Sequence, residues 1–497
     1  MKYAIAVLDI GKTNKKLVIF DEDLNQIDSI YSSFPTIKYD DLDVEDTQGL
    51  DSWFKDGLKE MGSKYPIKVI SVTTHGATGV CIDKEGNTSV PVVAYTNEVN
   101  DSFHDEFYNL VGSRDELQVK TATAEVKPLI NYAKLLYFLK KRFPVDFEKT
   151  DKILLYPQYF SYKLTGKTSA DFTYAGCHSY LWDFKEWQWS DVAKKLGILS
   201  KLPENINKPG DILGKISKET VERTNLSPDT IVTTGIHDSN SSLLPYLITG
   251  KENFILNSTG TWCVVMHPTK DLSFTKEELG KMVFYNISAN MDLVKTAIFM
   301  GGLEFETYTE ILKKIHNRKD YPELDINLTK QILQDSKEFI LPGVVKGAGQ
   351  FPDSEPRIVE KDKVYQLSEM QEVNSFPEFF NNYEKAYHIL VLSLVLQTKV
   401  AIERVNAPSR SPIYIEGGFR HNKSYIKLIA SVFPDNPVYI TNISEATSFG
   451  AAVLGKGAVE GKENKDLKEF VNIDSRRIES VKIGRFEGYF ETFLSKL

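Results

Sequence analysis

The chain has 497 residues, which is too long for one ordinary core, and its hydrophobic (41%) and charged (26%) contents are typical of globular proteins. A net charge of −8 argues against a general nucleic-acid-binding protein, whose surface is normally basic. The three cysteines (Cys81, Cys177 and Cys263) are widely spaced and form neither a CxxC pair nor a Cys/His cluster in the sequence, so neither a disulfide framework nor a zinc site is expected.

The hydrophobic segments indicate neither a secretory signal nor a membrane span. The chain opens MKYAIAVLDIGKTN, where charge arrives too early for the apolar core of a signal peptide. The most apolar long stretch, residues 389–396, is followed by Gln397 and Lys399, so we predict a buried helix there. The sequence therefore predicts a cytoplasmic protein without a membrane partner.

The N-terminal half begins with a strand–turn–strand pattern. The apolar run YAIAVLDI has the length of a strand, and a tight turn at 11–14 and a second apolar run, LVIF, follow it. Further strands are predicted at 68–74, 153–157 and 230–236. Segments with helical spacing of apolar residues separate them, as in residues 129–143, so the pattern predicts an α/β layer.

The same pattern restarts near the middle of the chain, at NFILNSTGTWCVVMHP. A glycine again stands at the centre of the turn, Gly260 here and Gly11 in the first half. The polar stretch 248–253 before it suits a linker. We therefore predict two related domains, residues 1–247 and 248–497, that face each other.

The rest of the C-terminal half reads as helices and strands in alternation. An amphipathic helix over 377–405 is followed by a strand at 412–418, which ends in two glycines, and by a helix from about Lys423. The last predicted helix begins in EATSFGAAVLG. Its residues 450–452 are small enough to let this helix approach another backbone closely.

Two glycine turns that face one cleft suit a polyphosphate, because glycine lets backbone N–H groups and nearby hydroxyls reach its oxygen atoms. The GKT sequence at 11–13 is not a Walker loop, since the first glycine of that motif would fall on Ala6. Asp9 ends the strand beside the first turn, where a carboxylate can organise Mg²⁺ and its waters. Capping of the turn is the alternative role for Asp9.

Polar residues also follow two other predicted strands. Asp238 stands at a carboxyl end of a strand, where α/β proteins collect their sites, and it suits a general base for phosphoryl transfer. The alternative is that Asp238 or Ser239 caps the following helix. His75 and Thr78 also follow a predicted strand and would face a polyol substrate. The alternative is that His75 has a structural role, as a single histidine often does. In the Glu416-Gly417-Gly418 turn, the two glycines leave the backbone uncovered, so the flat base of a nucleotide could lie against it.

Taken in order, these segments resemble the FGGY carbohydrate kinases, a family that includes glycerol, xylulose, rhamnulose and fuculose kinases. The resemblance runs from about residue 3 to 456 and is carried by LDIGKTNKK, TTHGATG, LINYAKLLYFLKKRFP, YPQYFSYKLTG with TSADFTYAG, GIHDSNSS, NSTGTW, IEGGFRHNKSYIKLIA and EATSFGAAVLG. LDIGKTNKK and NSTGTW resemble the two phosphate loops, and TTHGATG resembles the sugar-binding turn. GIHDSNSS resembles the segment that carries the catalytic aspartate.

The resemblance implies an α/β fold of two actin-like, or hexokinase- and ribonuclease H-like, domains with a central cleft between them. The N-terminal domain is expected to bind the sugar and to carry the catalytic base Asp238, and the C-terminal domain to bind the nucleotide. The implied substrate-binding residues are His75, Gly76, Thr78 and Asp238, and the implied metal ligands are Asp9 and Asp238. The implied ATP-binding residues are Gly11, Lys12, Thr13, Asn14, Lys16, Ser258, Gly260, Thr261, Gly417, Gly418 and Asn422.

The implied reaction is phosphorylation of a terminal hydroxyl of a small sugar by ATP with Mg²⁺, and the favoured acceptors are ketoses such as L-fuculose, L-rhamnulose or a pentulose. Two departures from the family pattern concern the acceptor. The sugar turn carries Gly76-Ala77-Thr78 instead of the Gly-Val-Asp of fuculose and rhamnulose kinases, and residues 94–101 lack the arginine of an Asp-x-Arg clamp.

Two other functions are compatible with the same scaffold. One is a non-catalytic regulator that responds to a sugar or a nucleotide, and the other is an actin- or Hsp70-like ATPase that acts on proteins. The presence of Asp238 and of both phosphate turns favours the kinase. The expected partners are the sugar and MgATP, without nucleic acid, and a homodimer is compatible with the sequence.

Overall fold

The computed structural model spans residues 1–497 and describes all of them except Thr13, Pro128, 372–375 and Ser444. Over the described residues the frame consists of two seven-stranded β-sheets, one in each half of the chain. Helices pack against both sheets, and each half has a large hydrophobic core of its own.

The first sheet is built around strand β1. The strands of the N-terminal half, as far as its residues are described, are β1 (Ala4–Ile10), β2 (Asn14–Asp21), β3 (Gln26–Ser33), β4 (Ile37–Tyr39), β5 (Leu42–Val44), β6 (Ile67–Thr74), β7 (Gly79–Ile82), β8 (Lys152–Leu155), β9 (Ala170–Asp171), β10 (Trp182–Asp183), β11 (Gln188–Trp189), β12 (Ile206–Asn207), β13 (Ile212–Lys215), β14 (Ile231–Thr233) and β15 (Ile236–His237). The main sheet has the order β13-β14-β6-β1-β2-β3, and β15 also pairs with β6. Because β1 and β15 both run parallel to β6, their carboxyl ends lie at one edge of the sheet.

The second sheet repeats this arrangement around β16. The strands described in the C-terminal half are β16 (Ile255–Thr259), β17 (Cys263–Thr269), β18 (Val283–Ile287), β19 (Leu293–Phe299), β20 (Glu338–Ile340), β21 (Arg357–Glu360), β22 (Lys363–Gln366), β23 (Ile413–Gly417), β24 (Val438–Thr441) and β25 (Ser475–Arg477). The main sheet has the order β18-β19-β17-β16-β23-β24-β25. β16 pairs antiparallel with β17 and parallel with β23, as β1 does with β2 and β6.

Both hairpins close at the predicted glycines. The backbone N–H of Gly11 donates to the carbonyl oxygen of Asn14 (3.0 Å), and that of Gly260 donates to the carbonyl oxygen of Trp262 (2.9 Å). The predicted repeat of the strand–turn–strand pattern near residue 250 is therefore confirmed.

The helices differ widely in length and in burial. They are α1 (Thr47–Lys64), α2 (Asp101–Val111), α3 (Arg114–Thr121), α4 (Tyr132–Arg142), α5 (Pro144–Glu148), α6 (Tyr156–Thr165), α7 (Phe172–Ala175), α8 (Asp191–Lys195), α9 (Lys218–Thr224), α10 (Asp238–Ile248), α11 (Gly301–His316), α12 (Ile326–Asp335), α13 (Leu367–Gln371), α14 (Tyr383–Arg404), α15 (Lys423–Val432), α16 (Ala446–Glu460) and α17 (Phe486–Lys496). Although α16 belongs to the C-terminal half of the sequence, it packs on β1 and β6 of the first sheet and against α10.

Helix α14 contains the apolar stretch at residues 389–396, which we predicted to be a buried helix. Within the described residues it is the one helix long and apolar enough to cross a membrane, and 94% of its most apolar window is buried inside the protein. The predicted helix over 377–405 is wrong at its start, because a 3₁₀ turn (Glu378–Asn381) precedes α14. Asn382 separates the two, since its side chain caps α14 by accepting from the N–H of Lys385.

Candidate active site

A cavity of about 570 Å³ lies between the two halves of the protein, and both contribute to its walls. The two hairpin turns, the end of β23 and the start of α16 contribute lining residues. The turn after β6, the start of α10 and the residues after α7 also line the cavity. The carboxyl ends of the parallel strands thus carry the polar groups of the cavity, as expected for α/β proteins.

The two hairpin turns present polar groups to one side of the cavity. Lys12, Asn14 and Lys16 line it from the first turn, and residues 258–261 line it from the second. An added side-chain carbon on Gly260 would meet its nearest atom at 3.8 Å, so the backbone of this turn is open to a ligand. The structure thus brings the predicted phosphate turns together, while the predicted contact Thr13 lies outside the described residues.

Asp238 is the first residue of α10 and lines the cavity with 30% of its side chain exposed. Its Oδ1 accepts a hydrogen bond from the backbone N–H of Ser239 (2.6 Å). His237 occupies the cap position without a side-chain capping bond, and Asp238 binds a free N–H group at the start of the helix, as in the capping alternative. Burial raises the pKa of Asp238, and the nearby ring of His75 opposes that rise.

Asp9 lies behind the first turn and is buried against α16. Its Oδ2 accepts from the hydroxyl of Ser448 (2.6 Å) and lies 3.7 Å from the ammonium group of Lys16. Lys16 also pairs with Glu445, immediately before α16. Burial raises the pKa of Asp9, and the ammonium group of Lys16 and the hydroxyl of Ser448 oppose this rise.

The turn after β6 places a neutral imidazole at the cavity. The backbone N–H of His75 donates to the carbonyl oxygen of Ile10 (2.9 Å), which ties this turn to the end of β1. Burial lowers the pKa of His75 to about 4, so the ring is uncharged at neutral pH. Its Nδ1 lies 2.9 Å from the carbonyl oxygen of Gly76, and among the described residues its buried Nε2 has no hydrogen-bond partner.

A cluster of soft ligands also lines the cavity, beside Asp238. Cys177, His178 and His237 place one donor atom each within 4.8 Å of the others. The expectation from the sequence that no Cys/His cluster exists is therefore wrong. The spacing hid it, because Cys177 and His178 are adjacent in the chain while His237 follows about 60 residues later at the end of β15.

The turn after β23 brings bare backbone next to the second hairpin. Gly417 has φ of +76°, and a side-chain carbon there would lie 1.9 Å from the carbonyl oxygen of Thr259, so this position requires glycine. Gly417 and Gly418 are exposed at the cavity. Beneath them, burial raises the pKa of Glu416 to about 7, and its Oε2 accepts from the hydroxyl of Tyr246 (3.1 Å).

Four of the predicted site residues that the structure describes do not line the cavity, namely Asp9, Gly11, Thr78 and Asn422. The backbone N–H of Thr78 donates to the hydroxyl of Tyr174 (3.0 Å), and the Thr78 side chain is fully buried. Asn422 caps α15 by accepting from the N–H of Tyr425 (3.0 Å) and donates to the hydroxyl of Tyr387 (3.0 Å). Thr78 and Asn422 both support turns that border the cavity.

Lys12 has an environment that the sequence did not indicate. Its ammonium group lies 2.5 Å from a carboxylate oxygen of the buried Glu45 and 5.0 Å from the ring centre of Tyr95. Tyr95 packs edge-on against His75, so Lys12 lies toward the histidine side of the cavity. No motif links residues 12, 45 and 95, and the contact depends on how the chain folds.

Comparison with known families agrees with this architecture. A model described as "FGGY family of carbohydrate kinases, N-terminal domain" matches residues 4–245, and one described as "Carbohydrate kinase FGGY, C-terminal domain" matches residues 251–464. The chain belongs to the FGGY family of carbohydrate kinases. The resemblance predicted from the sequence motifs is thereby confirmed.

Individual relatives of this FGGY family member are distant. It is 26% identical over 277 residues to a rhamnulokinase of Halalkalibacterium halodurans, which covers 53% of the chain and 56% of that protein. It is 24% identical over 273 residues to an L-fuculokinase of Escherichia coli, again covering 53% and 56%. The chain thus spans about half the length of these two curated relatives.

The whole fold is shared with solved family members. The structure of a carbohydrate kinase from Novosphingobium aromaticivorans matches with a TM-score of 0.79 at 24% identity, covering 100% of this chain and 98% of that one. This similarity confirms the predicted fold class, two actin-like, ribonuclease H-like α/β domains with a cleft between them.

Proposed function

We propose that this FGGY family member transfers the γ-phosphoryl group of ATP to a terminal hydroxyl of a small sugar. The acceptor is a ketose such as L-fuculose, L-rhamnulose or a pentulose. The observation that carries the proposal is the position of Asp238, a carboxylate at the start of α10 that lines the same cavity as both glycine turns. A base so placed can meet an acceptor hydroxyl beside a bound triphosphate.

In this proposal the nucleotide belongs to the side of the cavity formed by the hairpin turns. The phosphates lie along residues 9–16 and 258–261, with Lys16 as a cation, and the adenosine lies against the open backbone of Gly417 and Gly418. The domains are residues 1–247 for the sugar and 248–497 for the nucleotide. Helix α16 connects the two domains. It belongs to the C-terminal half of the sequence, but it packs on the first sheet.

The residues near the first turn fit the Mg²⁺ that accompanies ATP. Asp9 and Asp238 supply carboxylate oxygens, the ligand type that Mg²⁺ prefers, and the strands beside them, β1 and β15, end at the same edge of the first sheet. Mg²⁺ held there would neutralise charge on the phosphate oxygens. Lys16, 3.7 Å from Asp9, is a second positive charge for the same oxygens.

The acceptor lies deeper, against the turn that carries His75. Asp238 takes the proton of the acceptor's hydroxyl group. The oxygen of that hydroxyl group bonds to the γ-phosphorus of ATP, while the bond between the γ-phosphorus and the β-phosphate oxygen breaks. The raised pKa of Asp238 brings this base closer to neutral pH than an ordinary aspartate. Neutral His75, whose Nε2 has no partner among the described residues, offers a hydrogen bond to another hydroxyl of the acceptor.

A coupled ADP-release screen over ketoses and polyols tests this proposal. We expect ADP formation that requires one acceptor of this class and that the Asp238→Asn variant loses. Phosphorus NMR of the product should then show a phosphate monoester on a terminal carbon. ADP release that no acceptor stimulates would instead favour an ATPase, and nucleotide binding without turnover would favour a regulator.

A further inference from the structure

We infer that Cys177, His178 and His237 form a binding site for a thiophilic divalent cation such as Zn²⁺, with a fourth coordination position open to the cavity. Their donor atoms lie within 4.8 Å of one another, and all three residues line the cavity. One sulfur and two imidazole nitrogens are ligands that Zn²⁺ prefers. Three protein ligands with one open position leave room for an oxygen ligand, such as water or a hydroxyl group.

The distances fit a tetrahedral ion. Sγ of Cys177 lies 3.5 Å from Nε2 of His237. Zinc bonds of about 2.3 Å to sulfur and 2.0–2.1 Å to nitrogen place two tetrahedral ligands about 3.6 Å apart. Nε2 of His178 and Nε2 of His237 lie 2.7 and 2.6 Å from one point, the position that a side-chain carbon on Gly76 would take. Glycine at position 76 therefore leaves space in front of both nitrogens.

The far nitrogen of His237 faces a carboxylate. Its Nδ1 lies 3.4 Å from Oδ1 of Asp238 and makes no hydrogen bond within the described part of the chain. Metal-bound histidines commonly direct their second ring nitrogen to a carboxylate, which fixes the ring and its tautomer. The backbone of His237 is also fixed, since its N–H donates to the hydroxyl of Thr173 (3.1 Å).

The backbone around His178 is held in an uncommon conformation. His178 has φ of +38° and Tyr180 has φ of +62°, both in the left-handed region that non-glycine residues seldom adopt. The carbonyl of His178 accepts from the side-chain amide of the fully buried Asn131 (3.2 Å). This segment therefore presents the adjacent Cys177 and His178 to the cavity in a fixed arrangement.

The chemistry separates this site from the magnesium site of the proposed reaction. Imidazole binds a metal ion through a nitrogen of its neutral form, and cysteine binds it as a thiolate. Binding replaces the S–H bond of Cys177 by a sulfur–metal bond and releases the proton to solvent. Mg²⁺ favours oxygen ligands in octahedral geometry and does not suit this set.

Titration of the full, chelator-treated chain with Co²⁺ tests the inference without any assay of turnover. We expect one equivalent of tetrahedral Co²⁺ with a sulfur-to-cobalt charge-transfer band, which one equivalent of Zn²⁺ removes by displacement. The band should persist in excess Mg²⁺. A titration without this band, or a band that Mg²⁺ abolishes, would overturn the inference.

Substitutions test which side chains bind the metal ion. Cys177→Ser should lose the charge-transfer band, and His237→Gln should weaken Co²⁺ binding at least about tenfold. Gly76→Ala keeps all three ligands but fills the space in front of the two nitrogens, so it should also weaken binding. The matched control is Cys81→Ser, at a buried cysteine on β7, and it should bind as the unaltered chain does. A band that survives in folded Cys177→Ser contradicts the site.

Discussion

A side-chain carbon on Gly450 of α16 would stand 1.9 Å from the backbone carbonyl oxygen of Ser241 on α10. These two helices carry parts of the candidate site that are far apart in sequence. Helix α10 begins with Asp238, and α16 contains Ser448, whose hydroxyl donates to Asp9. The contact at Gly450 thus sets the distance between the proposed base and the first phosphate turn.

Replacing Gly450 by alanine should therefore destabilise the protein. A methyl group at this position forces α10 and α16 apart, and overpacking of this kind typically costs about 1–3 kcal/mol. Chemical unfolding measures the difference. Gly488→Ala is the matched control, because Gly488 lies on the exposed face of helix α17 with no other atom within 4 Å of the added carbon. The control should gain roughly 0.5–1 kcal/mol from the better helix former.

The Asp238→Asn variant should remove the base and one proposed ligand of Mg²⁺ while keeping the fold. We expect turnover to fall by about 10²–10⁴-fold, the usual contribution of a general base. The fold should persist, because an amide oxygen can still accept from the N–H of Ser239, and calorimetry with ADP in the absence of Mg²⁺ should find an affinity near that of the unaltered chain. Asp229→Asn, at an exposed aspartate paired with Lys215, is the control and should turn over normally. Near-normal turnover of Asp238→Asn would remove the assignment.

The Gly260→Val variant should weaken MgATP binding while leaving the fold intact. The added β-carbon meets no protein atom closer than 3.8 Å, so a loss of MgATP affinity without a change in thermal unfolding would come from the ligand that approaches this backbone. We expect affinity for MgATP to fall by about tenfold or more, equivalent to about 1.4 kcal/mol. Titration calorimetry and thermal unfolding of the same preparation measure both quantities.

Gly417→Ala provides the contrasting case for that experiment. Here the backbone has φ of +76°, and the added carbon would lie 1.9 Å from the carbonyl oxygen of Thr259. The variant should lose stability even without nucleotide, by about 1–3 kcal/mol. If Gly260→Val instead binds MgATP as well as the unaltered chain, the second turn is not a phosphate turn.

The hairpins could be predicted from the sequence because their signal is local. All seven residues of β1 are buried, and a central strand of this kind reads as a continuous apolar run that ends at a turn glycine. The close approach at residues 450–452 was also visible, since three small residues in a helix have few other uses. The break before α14 could not be predicted, because the sequence around Asn382 has a helical pattern. Only the capping bond of the Asn382 side chain shows where the helix begins.

The candidate site was predictable where a polar residue follows a strand, as with His75 and Asp238. Thr78 shows the limit of that rule, because it lies three residues after His75 and yet faces the interior. The Cys177 and His237 contact depends on how the segment after α7 packs against β15, which no spacing in the sequence encodes. Tertiary packing of separate segments thus decides the part of the site that sequence reasoning missed.

The contribution of Glu416 to the stability of the protein should fall as the pH rises from 5 to 8. Burial raises the pKa of Glu416 from 4.5 to about 7. Between these values the folded chain binds a proton that the unfolded chain has lost, so the stabilising contribution is complete below pH 4.5 and disappears as the pH rises through 7. The full difference is about 3 kcal/mol. Asp171, whose pKa burial raises to about 7, acts in the same direction.

Glu416→Gln isolates the contribution of this carboxyl group. Glutamine keeps the shape of the protonated acid and can still accept from the hydroxyl of Tyr246, so it should fold at every pH in the range. Chemical unfolding without nucleotide at pH 5, 6, 7 and 8 should show the free energy of unfolding of the unaltered chain decreasing, relative to that of the variant, as the pH rises. Asp171→Asn tests the contribution of Asp171 in the same way. Equal slopes for the unaltered chain and Glu416→Gln would mean that Glu416 is ionised in the folded protein, paired with a cation instead of protonated.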